Sequence, residues 1–553
     1  MQRRRFITLI FNLFICFFAS NKRAFAVRSG DIKYCDSIED LRNINLSFGG
    51  KSIIVRSYYS QSKTPSGGGE FIYDKDDIDS IDNGGTIIVT KNGGRWKRVH
   101  GDILDVIDFG AKPNDPTFDS LPMIQNAIDY ADKVTLSGKK YFITAPIYIR
   151  SGITFDGDGG QLVSLKEINS PFMAGAIFAP GNYHPAYWIS VEKVKAKSTQ
   201  SKRVITVDDC SICKIGDILR LSSVSGVDSA GFFVEDYIQL NRIIDIQRNE
   251  ITLEHDIGIG GDFHVSNASP EGGIGRFGKP LFCCYDSKIK NFVIETWDYW
   301  TADTATYNVT FENITGKAKA VVYGNSFSYS SFKKISMIFN ECFSELAFGS
   351  HNTNLTEIYG VAEQTGIAKN YCLSWTESGR FCTLNQFVVR LNKNCKPATI
   401  LRISGHRYST IQNGQVFLVD NHNNILSVES YGRSQVGTDS NVFSGVDIYA
   451  TGSVSVVCDV FKLNEKSKLE QAVFKKIRYF GTTPKVALIR LRGRKNNLLK
   501  GLFIGIYSKN GGMIRIENAI NNVVEISTPF KERMDTDVDE NSRYQNKVEY
   551  LSQ

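Results

Sequence analysis

Apolar residues in the second half of the chain recur as a short word in which two apolar positions are separated by two others. The word first appears at Ile289 and Phe292, and successive words follow at intervals of 21 to 32 residues. Their first residues are Ile289, Phe311, Phe332, Leu355, Leu384, Ile411, Phe443, Phe474, Leu499 and Val523. The skipped residues are often Asn, Gly or Lys, which suit a tight turn between two strands.

This period predicts a parallel β-helix. The words are rich in Phe, Ile, Val and Leu, and alternation such as Val309-x-Phe311 places side chains on one face of a strand. Each period then supplies the short strands of one rung, and stacked rungs bury a continuous apolar column. A β-propeller would repeat about every 40 residues, and a leucine-rich repeat needs a consensus that is missing here.

A short amphipathic helix is predicted ahead of the rungs. Its apolar positions are Met123, Ile124, Ala127, Ile128 and Ala131. Asp119 and Ser120 precede it as candidate N-caps. Because a first rung would otherwise expose apolar side chains and unpaired strand edges, we expect this helix to cover the open end of the β-helix.

Two further β regions interrupt this scheme. The glycine-rich words GGGEFIYD, DNGGTIIV and GRWKR predict a small N-terminal β-domain, since glycine permits tight turns. Trp96 is expected to pack against the capping helix or the first rung, with a sugar-stacking platform as the alternative. The segment 187–262 has the pattern of hairpins and predicts a β insertion.

The first 26 residues have the pattern of an export signal. Arg3–Arg5 precede an apolar run from Phe6 to Ala19, and Ala24-Phe25-Ala26 forms a small-residue cleavage site. A membrane span needs about 20 residues, so the run is short for one. The Arg3–Ile7 stretch is similar to a twin-arginine signal, with an ordinary secretory signal as the alternative. A periplasmic or secreted location is predicted.

Charge excludes two classes of partner. The net charge of +7 falls by five to +2 when residues 1–26 are removed, because they contain five basic residues and no acid. A nearly neutral chain lacks the electrostatic footprint of a nucleic-acid-binding protein and has no basic surface for an anionic membrane.

The cysteines predict no metal site. Ten remain after Cys16 is removed, and Cys210-x-x-Cys213 and the adjacent Cys283 and Cys284 suggest zinc. Structural zinc needs four ligands in two close pairs, and neither a second such motif nor a histidine pair is present. Buried thiols are the expected state of most of them.

The segment DVIDFGAKPNDPTFDSLPMIQNAID resembles the opening of the pectate-lyase-like superfamily, which includes rhamnogalacturonases and phage tailspikes. Family members have a Gly-Asp and an Asp-Asp-Thr element where this chain has 112–117, KPNDPT. The resemblance covers about residues 102–160, and the rungs extend it to about 530. It implies an all-β, right-handed parallel β-helix that acts on polysaccharides by hydrolysis, lyase elimination or epimerisation.

The expected organisation has six segments: a signal peptide (1–26), a small N-terminal β-domain (27–100), the β-helix cap and first rungs (101–186), a β-hairpin insertion (187–262), a parallel β-helix (263–530) and a C-terminal tail (531–553).

Three carboxylates are the candidate catalytic residues. Hydrolysis of a glycosidic bond uses two carboxyl groups, about 5 Å apart for retention or roughly 6.5–9.5 Å apart for inversion. Glu341 and Glu363 fall nine and eight residues after their anchors, so they should lie in neighbouring rungs about 4.8 Å apart. Glu377 is the third candidate, and an inert polar column is the alternative for the set.

Aromatic and basic residues further along the rungs are candidates for binding sugar, because aromatic faces stack on sugars and Arg forks onto carboxylates. The candidate substrate-binding residues are Trp297, Asp298, Trp300, Trp375, Arg380, His406 and Arg407. His351 precedes Arg380 in the same predicted column. A surface of mixed charge is the alternative interpretation.

The sequence and the resemblance together lead us to expect an exported protein that binds and cleaves a bacterial or pectin-like polysaccharide. A hydrolase is favoured over a lyase because the rungs offer carboxylates more than a lysine-rich calcium site. No cofactor is expected, except Ca²⁺ if the protein is a lyase. The alternatives are a non-catalytic glycan-binding protein or adhesin and a prophage tailspike-derived protein, which would form a homotrimer.

Overall fold

The computed structural model describes most of the chain between residues 33 and 551. The described ranges are 33–44, 52–60, 62, 64–165, 176–180, 194–211, 213–227, 233–268, 283–301, 305–347, 349–363, 371–376, 378–395, 397–430, 438–462, 469, 471–493, 499–519, 522–529, 531–539 and 546–551. The predicted signal segment 1–26 lies outside them. The architecture is nearly all β with a large parallel sheet, which confirms the fold class. The chain divides into an N-terminal unit, which ends at Val99, and a larger unit that follows it.

The N-terminal unit has one short helix, α1 (Ile38–Arg42), and a five-stranded sheet. Its strands are β1 (Lys33–Cys35), β2 (Ser52–Val55), β3 (Gly69–Asp74), β4 (Ile87–Val89) and β5 (Arg95–Arg98), in the order β1-β2-β3-β5-β4. Trp96 is 2% exposed and packs in the core of this sheet, 5.4 Å from the Tyr73 ring. The two expectations for Trp96 are therefore wrong, because its own domain encloses the indole.

The larger unit begins with the predicted capping element. A 3-10 turn (Val106–Phe109) precedes helix α2 (Leu121–Tyr130), whose buried residues Ile124, Ala127 and Ile128 belong to the main apolar core. The Leu121 N–H donates to Asp119 Oδ1 at 3.1 Å, while Ser120 makes no side-chain capping bond. The helix prediction is confirmed, with Asp119 as the residue whose side chain caps it.

Short parallel strands lie before and after this helix in the chain. They are β6 (Leu104–Asp105), β7 (Lys133–Thr135), β8 (Lys140–Ile143), β9 (Ile147–Ile149), β10 (Thr154–Asp156), β11 (Gln161–Ser164) and β12 (Ala176–Pro180). The middle of β10 pairs with β7, Phe155 lying opposite Val134. These strands form the first rungs of the β-helix.

The insertion is a closed antiparallel barrel rather than a set of hairpins. Its strands are β13 (Val194–Ser198), β14 (Val204–Val207), β15 (Ile218–Val227), β16 (Phe233–Gln247), β17 (Glu250–Leu253) and β18 (Asp262–Asn267). The barrel has an apolar core of its own, which includes Leu221, Ile243 and Val265. Its described strands run from Val194 to Asn267, and the expected start of the insertion at 187 lies outside the described residues.

The remaining strands build the stack of rungs. They are β19 (Cys284–Tyr285), β20 (Lys288–Glu295), β21 (Tyr299–Thr301), β22 (Thr306–Tyr307), β23 (Thr310–Asn325), β24 (Phe327–Ser328), β25 (Ser331–Ala347), β26 (Asn354–Ala362), β27 (Tyr371–Thr376), β28 (Thr383–Leu391), β29 (Thr399–Ser404), β30 (Thr410–Leu418), β31 (His422–Glu429), β32 (Asn441–Ala450), β33 (Val454–Phe461), β34 (Gln471–Lys475), β35 (Arg478–Phe480), β36 (Ala487–Arg492), β37 (Lys500–Ser508), β38 (Gly512–Glu517), β39 (Val523–Ser527), β40 (Met534–Val538) and β41 (Lys547–Leu551). Pairings between successive rungs are parallel throughout.

The predicted anchors form one buried column. Each pairs with the next from Ile289 to Phe474, and ring stacks reinforce it, as between Phe311 and Phe332 at 4.8 Å. The column then continues through Phe503 and Val524. The last two predicted anchors, Leu499 and Val523, are therefore wrong in register. Leu499 is also buried, so an apolar word alone does not identify which of its residues enters the column.

In nine successive rungs, from that of Ile289 to that of Phe503, a left-handed residue marks the bend between the two apolar positions. The residues with positive φ at this point are Asn291, Asn313, Lys334, Glu357, Gln386, Asn413, Gly445, Lys476 and Gly505. The asparagines also bond along the stack, as Asn313 Nδ2 donates to Asn291 Oδ1 at 2.9 Å. The tight turns expected between the two apolar positions are confirmed, and Asn and Gly suit them because these residues tolerate positive φ.

The stack extends beyond residue 530 into the segment expected to be a tail. Strands β40 and β41 pair in parallel with β38 and β39. Their exposed and half-buried residues lack the apolar word of earlier rungs, so the repeat pattern does not identify them. Within the described ranges, no helix has the length and apolarity needed to cross a membrane.

A substitution at Gly414 tests how tightly the core of the rungs is packed. Gly414 occupies an apolar position of its rung, and a Cβ built there would lie 2.0 Å from the Phe387 ring. We expect Gly414→Ala to lower stability by about 1–3 kcal/mol, because overpacking displaces neighbouring groups. Thermal unfolding checks this, with Gly101→Ala as the control, since a Cβ at Gly101 meets no atom within 4 Å. Equal midpoints for the two variants would contradict the packing argument.

Candidate functional site

The candidate site is a surface of the β-helix that we call the Trp297 face. It consists of Trp297, Asp298, Tyr299, Lys317, Lys319, Glu341 and Glu363. Trp297 lies between β20 and β21 and is 68% exposed. The Lys317 Nζ stands 5.7 Å from the centre of its ring, within the range of a cation–π contact.

Each of the three carboxylates on this face has a donor from another strand. Lys319 Nζ lies 3.2 Å from Asp298 Oδ1, and Lys317 Nζ lies 2.6 Å from Glu363 Oε1. The Tyr299 hydroxyl donates to Glu341 Oε1. The contacts join residues from four successive rungs, so the face is a property of the stack rather than of one segment.

A β-bulge shapes the centre of the face. Ala318 pairs with Phe339 and Ala320 pairs with Cys342, so Lys319 alone lies opposite both Asn340 and Glu341. A bulge changes the direction of side chains locally, and bulges are enriched next to active sites. Glu341 lies in this bulge and accepts a hydrogen bond from Tyr299, which belongs to β21.

Tyr299 is a fixed proton donor. Its ring is 5% exposed, and it stacks on Tyr323 with ring centroids 4.0 Å apart. Burial disfavours the phenolate, and Cys342, Tyr323 and Glu341 add to this, so the pKa of Tyr299 lies far above its ordinary value. The hydroxyl therefore keeps its proton and can donate it in a hydrogen bond to the Glu341 carboxylate.

The two predicted catalytic carboxylates lie on adjacent rungs. Phe339 pairs with Ala362, and the N–H of Glu363 donates to the Phe339 carbonyl at 2.8 Å. Glu341 and Glu363 nevertheless bond to different partners, Tyr299 and Lys317. The third candidate, Glu377, lies outside the described residues.

Three predicted sugar-binding residues are instead part of the core. Trp300 donates to the Val321 carbonyl at 2.7 Å, and Trp375 donates to Ser344 Oγ at 3.2 Å. His406 stacks on Trp375 at 5.6 Å and contacts the Leu346 carbonyl at 3.2 Å. All three are buried, so the expectation that they line a groove is wrong. Their polar atoms satisfy the interior of the stack instead of a ligand.

The remaining predicted residues form a column at one bend of the rungs. His351, Arg380 and Arg407 pair by successive parallel bridges. The Arg380 guanidinium lies 4.7 Å from the centre of the Tyr237 ring and donates to the Gly258 carbonyl at 3.2 Å. Arg380 therefore joins the barrel to the rungs, whereas Arg407 is half-buried one rung further on.

Sequence reasoning did not place Lys317 and Lys319 among the site residues, and it gave Tyr299 no role of its own. The signal was present: Lys317-x-Lys319 has the alternation that puts two side chains on one face of a strand. Tyr299 lies between two residues that were selected for their aromatic and acidic character. The bulge could not be predicted from the sequence, and it determines which carboxylate lies next to which hydrogen-bond donor.

Within the described ranges, no group of three or more His, Cys, Asp or Glu side chains is arranged to hold a metal ion. The pair Cys283 and Cys284 is fully buried, and burial raises the pKa of the Cys284 thiol to about 12. Such a thiol is protonated at neutral pH.

The N-terminal unit is similar to a known family of domains. Residues 34–101 match the phage tail protein small four-stranded beta-sheet domain. Over 77 residues the chain is 44% identical to the Mu-like prophage FluMu defective tail fiber protein of Haemophilus influenzae. That match covers 14% of this chain and only 12% of the Haemophilus protein.

Among solved structures, the chain is similar to the tailspike protein of Acinetobacter baumannii phage AM24, with 13% identity, a TM-score of 0.42, and coverage of 91% of this chain and 65% of that one. It is also similar to tailspike gp49 of Pseudomonas phage LKA1, with 9% identity, a TM-score of 0.36 and coverage of 75% and 71%. A third is WceF of Pantoea stewartii, a glycan biofilm modifying enzyme, with 11% identity, a TM-score of 0.29 and coverage of 93% and 50%. None of these likenesses assigns a site residue to this chain.

Two buried histidines predict a loss of stability in acid. Burial lowers the pKa of His406 to about 4, and burial together with Arg380 and His255 lowers that of His351 to about 3. Unfolding restores an ordinary pKa near 6.5, so the unfolded chain binds more protons below that pH. Stability should therefore fall as the pH drops from about 6.5 to about 4, by about 1.4 kcal/mol per pH unit for each histidine.

Denaturant unfolding at several pH values measures this slope. His406→Gln should make it shallower, while His100→Gln, a change at an exposed position, should leave it unchanged. The same slope in wild type and His406→Gln would contradict the assignment.

Proposed function

We propose that the chain is exported and that its Trp297 face binds and hydrolyses an acidic or complex bacterial polysaccharide. One observation carries this proposal: a largely exposed indole stands beside three carboxylates and two lysines on one surface of a β-helix. The pattern of residues 1–26 supports export. The resemblance of residues 102–160 to the pectate-lyase-like superfamily supports the substrate class.

Binding uses the exposed groups of the face. The apolar side of a sugar ring packs on Trp297, as aromatic side chains offer a flat apolar surface for such contacts. Lys317, with 41% of its side chain exposed, is within reach of the same indole and attracts an acidic sugar substituent. The strands beneath hold both side chains in place before the sugar arrives.

Hydrolysis uses Glu341 and Glu363 in different roles. Tyr299 donates a hydrogen bond to Glu341 and orients its carboxylate, and we assign Glu341 the role of base or nucleophile. Glu363 is paired with Lys317, and we assign it the role of general acid towards the oxygen of the glycosidic bond.

A second function is favoured by the match of residues 34–101 to a phage tail domain. Under this proposal the chain is a glycan-binding protein derived from a prophage spike, without catalysis. It would then form a stable homotrimer, which size-exclusion chromatography with light scattering detects.

Incubation of the purified protein with a panel of bacterial capsular polysaccharides and pectins tests the first proposal. Release of reducing ends and absorbance of unsaturated uronates are followed together. We expect new reducing ends without absorbance, and a loss of about 10²- to 10⁴-fold in Glu341→Gln and in Glu363→Gln. The matched control is Glu312→Gln, whose partner Lys288 lies 2.7 Å away in a similar pair elsewhere on β23.

Three outcomes would overturn the assignment. Absorbance of unsaturated products would mean a lyase. Equal losses in the control and in both site variants would mean that the substitutions act through folding. Binding without any product across the panel would favour the spike-derived binder.

Trp297→Ala separates binding from catalysis. We expect about tenfold weaker binding of the polysaccharide, roughly 1.4 kcal/mol, because the stacking surface is lost. Stability should be unchanged, because the indole is mostly exposed. Affinity electrophoresis measures the effect, with Tyr148→Ala as the control because Tyr148 is another exposed aromatic residue. Equal affinities of wild type and Trp297→Ala would remove Trp297 from the site.

A further inference from the structure

A cavity of about 380 Å³ lies where the barrel meets the bends of the rungs. The barrel contributes the turn 255–258 after β17, and Lys202 stands at the cavity on the same side. The rungs contribute Tyr329, His351, Asn352 and Phe381. The Trp297 face contributes no lining residue, so this is a separate place on the molecule.

The walls are aromatic. The His255 ring stacks on the Tyr329 ring with centroids 3.7 Å apart and planes at 16°. The rings of Phe381 and Tyr329 lie 5.5 Å and 5.7 Å from that of His351. Lys202 and Asp256 add one charge of each sign, so the lining as a whole has no strong preference for an anion or a cation.

His351 is the polar group that these walls leave unsatisfied. It is 2% exposed, and neither ring nitrogen has a hydrogen-bond partner among the described residues. A buried polar group without a partner costs about 1–3 kcal/mol, so native structures rarely keep one. Because its pKa is lowered to about 3, the ring is neutral and presents one N–H donor and one nitrogen acceptor.

Several other polar groups around the cavity are already engaged. Gln239 Nε2 donates to the Tyr329 hydroxyl at 2.8 Å, and the Gly258 N–H donates to the Tyr237 hydroxyl at 2.8 Å. Asn241 bonds both backbone groups of His255, at 2.9 and 3.1 Å. These bonds fix the barrel turn against the rungs, and none of them uses a ring nitrogen of His351. The walls of the cavity are therefore organised before a ligand enters.

We propose that this cavity binds one or two residues of a sugar chain, with a sugar hydroxyl on the His351 ring. A hydroxyl both donates and accepts, which matches a neutral imidazole, and the aromatic walls match the apolar faces of a sugar ring. The cavity volume falls within the range typical of small-ligand sites, about 300–1,000 Å³. This site goes beyond the proposed function, because it requires no cleavage at the Trp297 face.

Ligand-observed NMR and calorimetry with monosaccharides and disaccharides test this proposal. The probes are galactose, glucuronate, N-acetylglucosamine, rhamnose and disaccharides that contain them. The protein is the chain carrying Trp297→Ala, which weakens binding at the other face. We expect at least one probe to bind. His351→Phe keeps the ring size but removes both nitrogens, and it should weaken that binding at least tenfold.

Two further variants keep the test decisive. His422→Phe is the matched control, because His422 is another buried histidine of the stack, in β31. It should leave binding unchanged. Lys202→Ala changes an exposed side chain at the cavity without touching the core, so it tests the site even if His351→Phe does not fold. It should weaken binding of glucuronate more than binding of galactose.

Several outcomes would overturn the proposal: no probe binds, inorganic phosphate alone binds, or binding is the same in wild type, His351→Phe and Lys202→Ala. Higher stability of His351→Phe together with no sugar binding would mean that the cavity holds only water. Polysaccharide cleavage that is lost in Glu341→Gln while sugar binding persists would show that the two sites act independently.

Discussion

The whole structure depends on the bend between the two apolar positions of each rung. One residue there adopts a left-handed backbone, and in seven of the nine rungs with this bend it is not glycine. The left-handed conformation is unfavourable for a residue other than glycine. The stacked anchors and the hydrogen bonds between rungs must therefore hold that residue in place. In return, every bend directs one apolar side chain into the column and the next strand along a new face. The positions of both the core and the outer surface follow from this geometry.

The repeat, and with it the fold class, could be predicted because the column demands an apolar residue at a regular place. The site could be predicted only in part. Trp297 is exposed and Trp300 is buried, but every residue from Tyr299 to Thr301 is buried, so this segment has no alternation from which the exposed aromatic residue could be identified. His406 is a polar residue, yet it is buried in the core, where its ring nitrogens contact the Leu346 carbonyl and the Ser409 hydroxyl. The bulge at Lys319 depends on how two long strands align, which is a property of the pairing and not of either segment alone.

The cavity beside His351 could be predicted from the sequence even less than the Trp297 face. Its lining comes from a barrel turn and from three successive bends, separated by up to about 180 residues in the chain. None of these segments has a recognisable motif. Only the docking of the barrel on the rungs, through Arg380 and the Arg242–Asp286 pair at 2.7 Å, brings them together. Two separate candidate sites therefore arise on one scaffold from unrelated local features.

The barrel begins and ends on strands that are direct neighbours, since β13 and β18 pair antiparallel from Val194 to Lys197. The two ends of the barrel segment thus lie side by side. A segment with adjacent ends can be gained, lost or exchanged in evolution with little disturbance of its host. The barrel turn that lines the cavity would travel with it. Recombination at this single junction could therefore alter what the molecule recognises while the rungs and the Trp297 face are inherited unchanged.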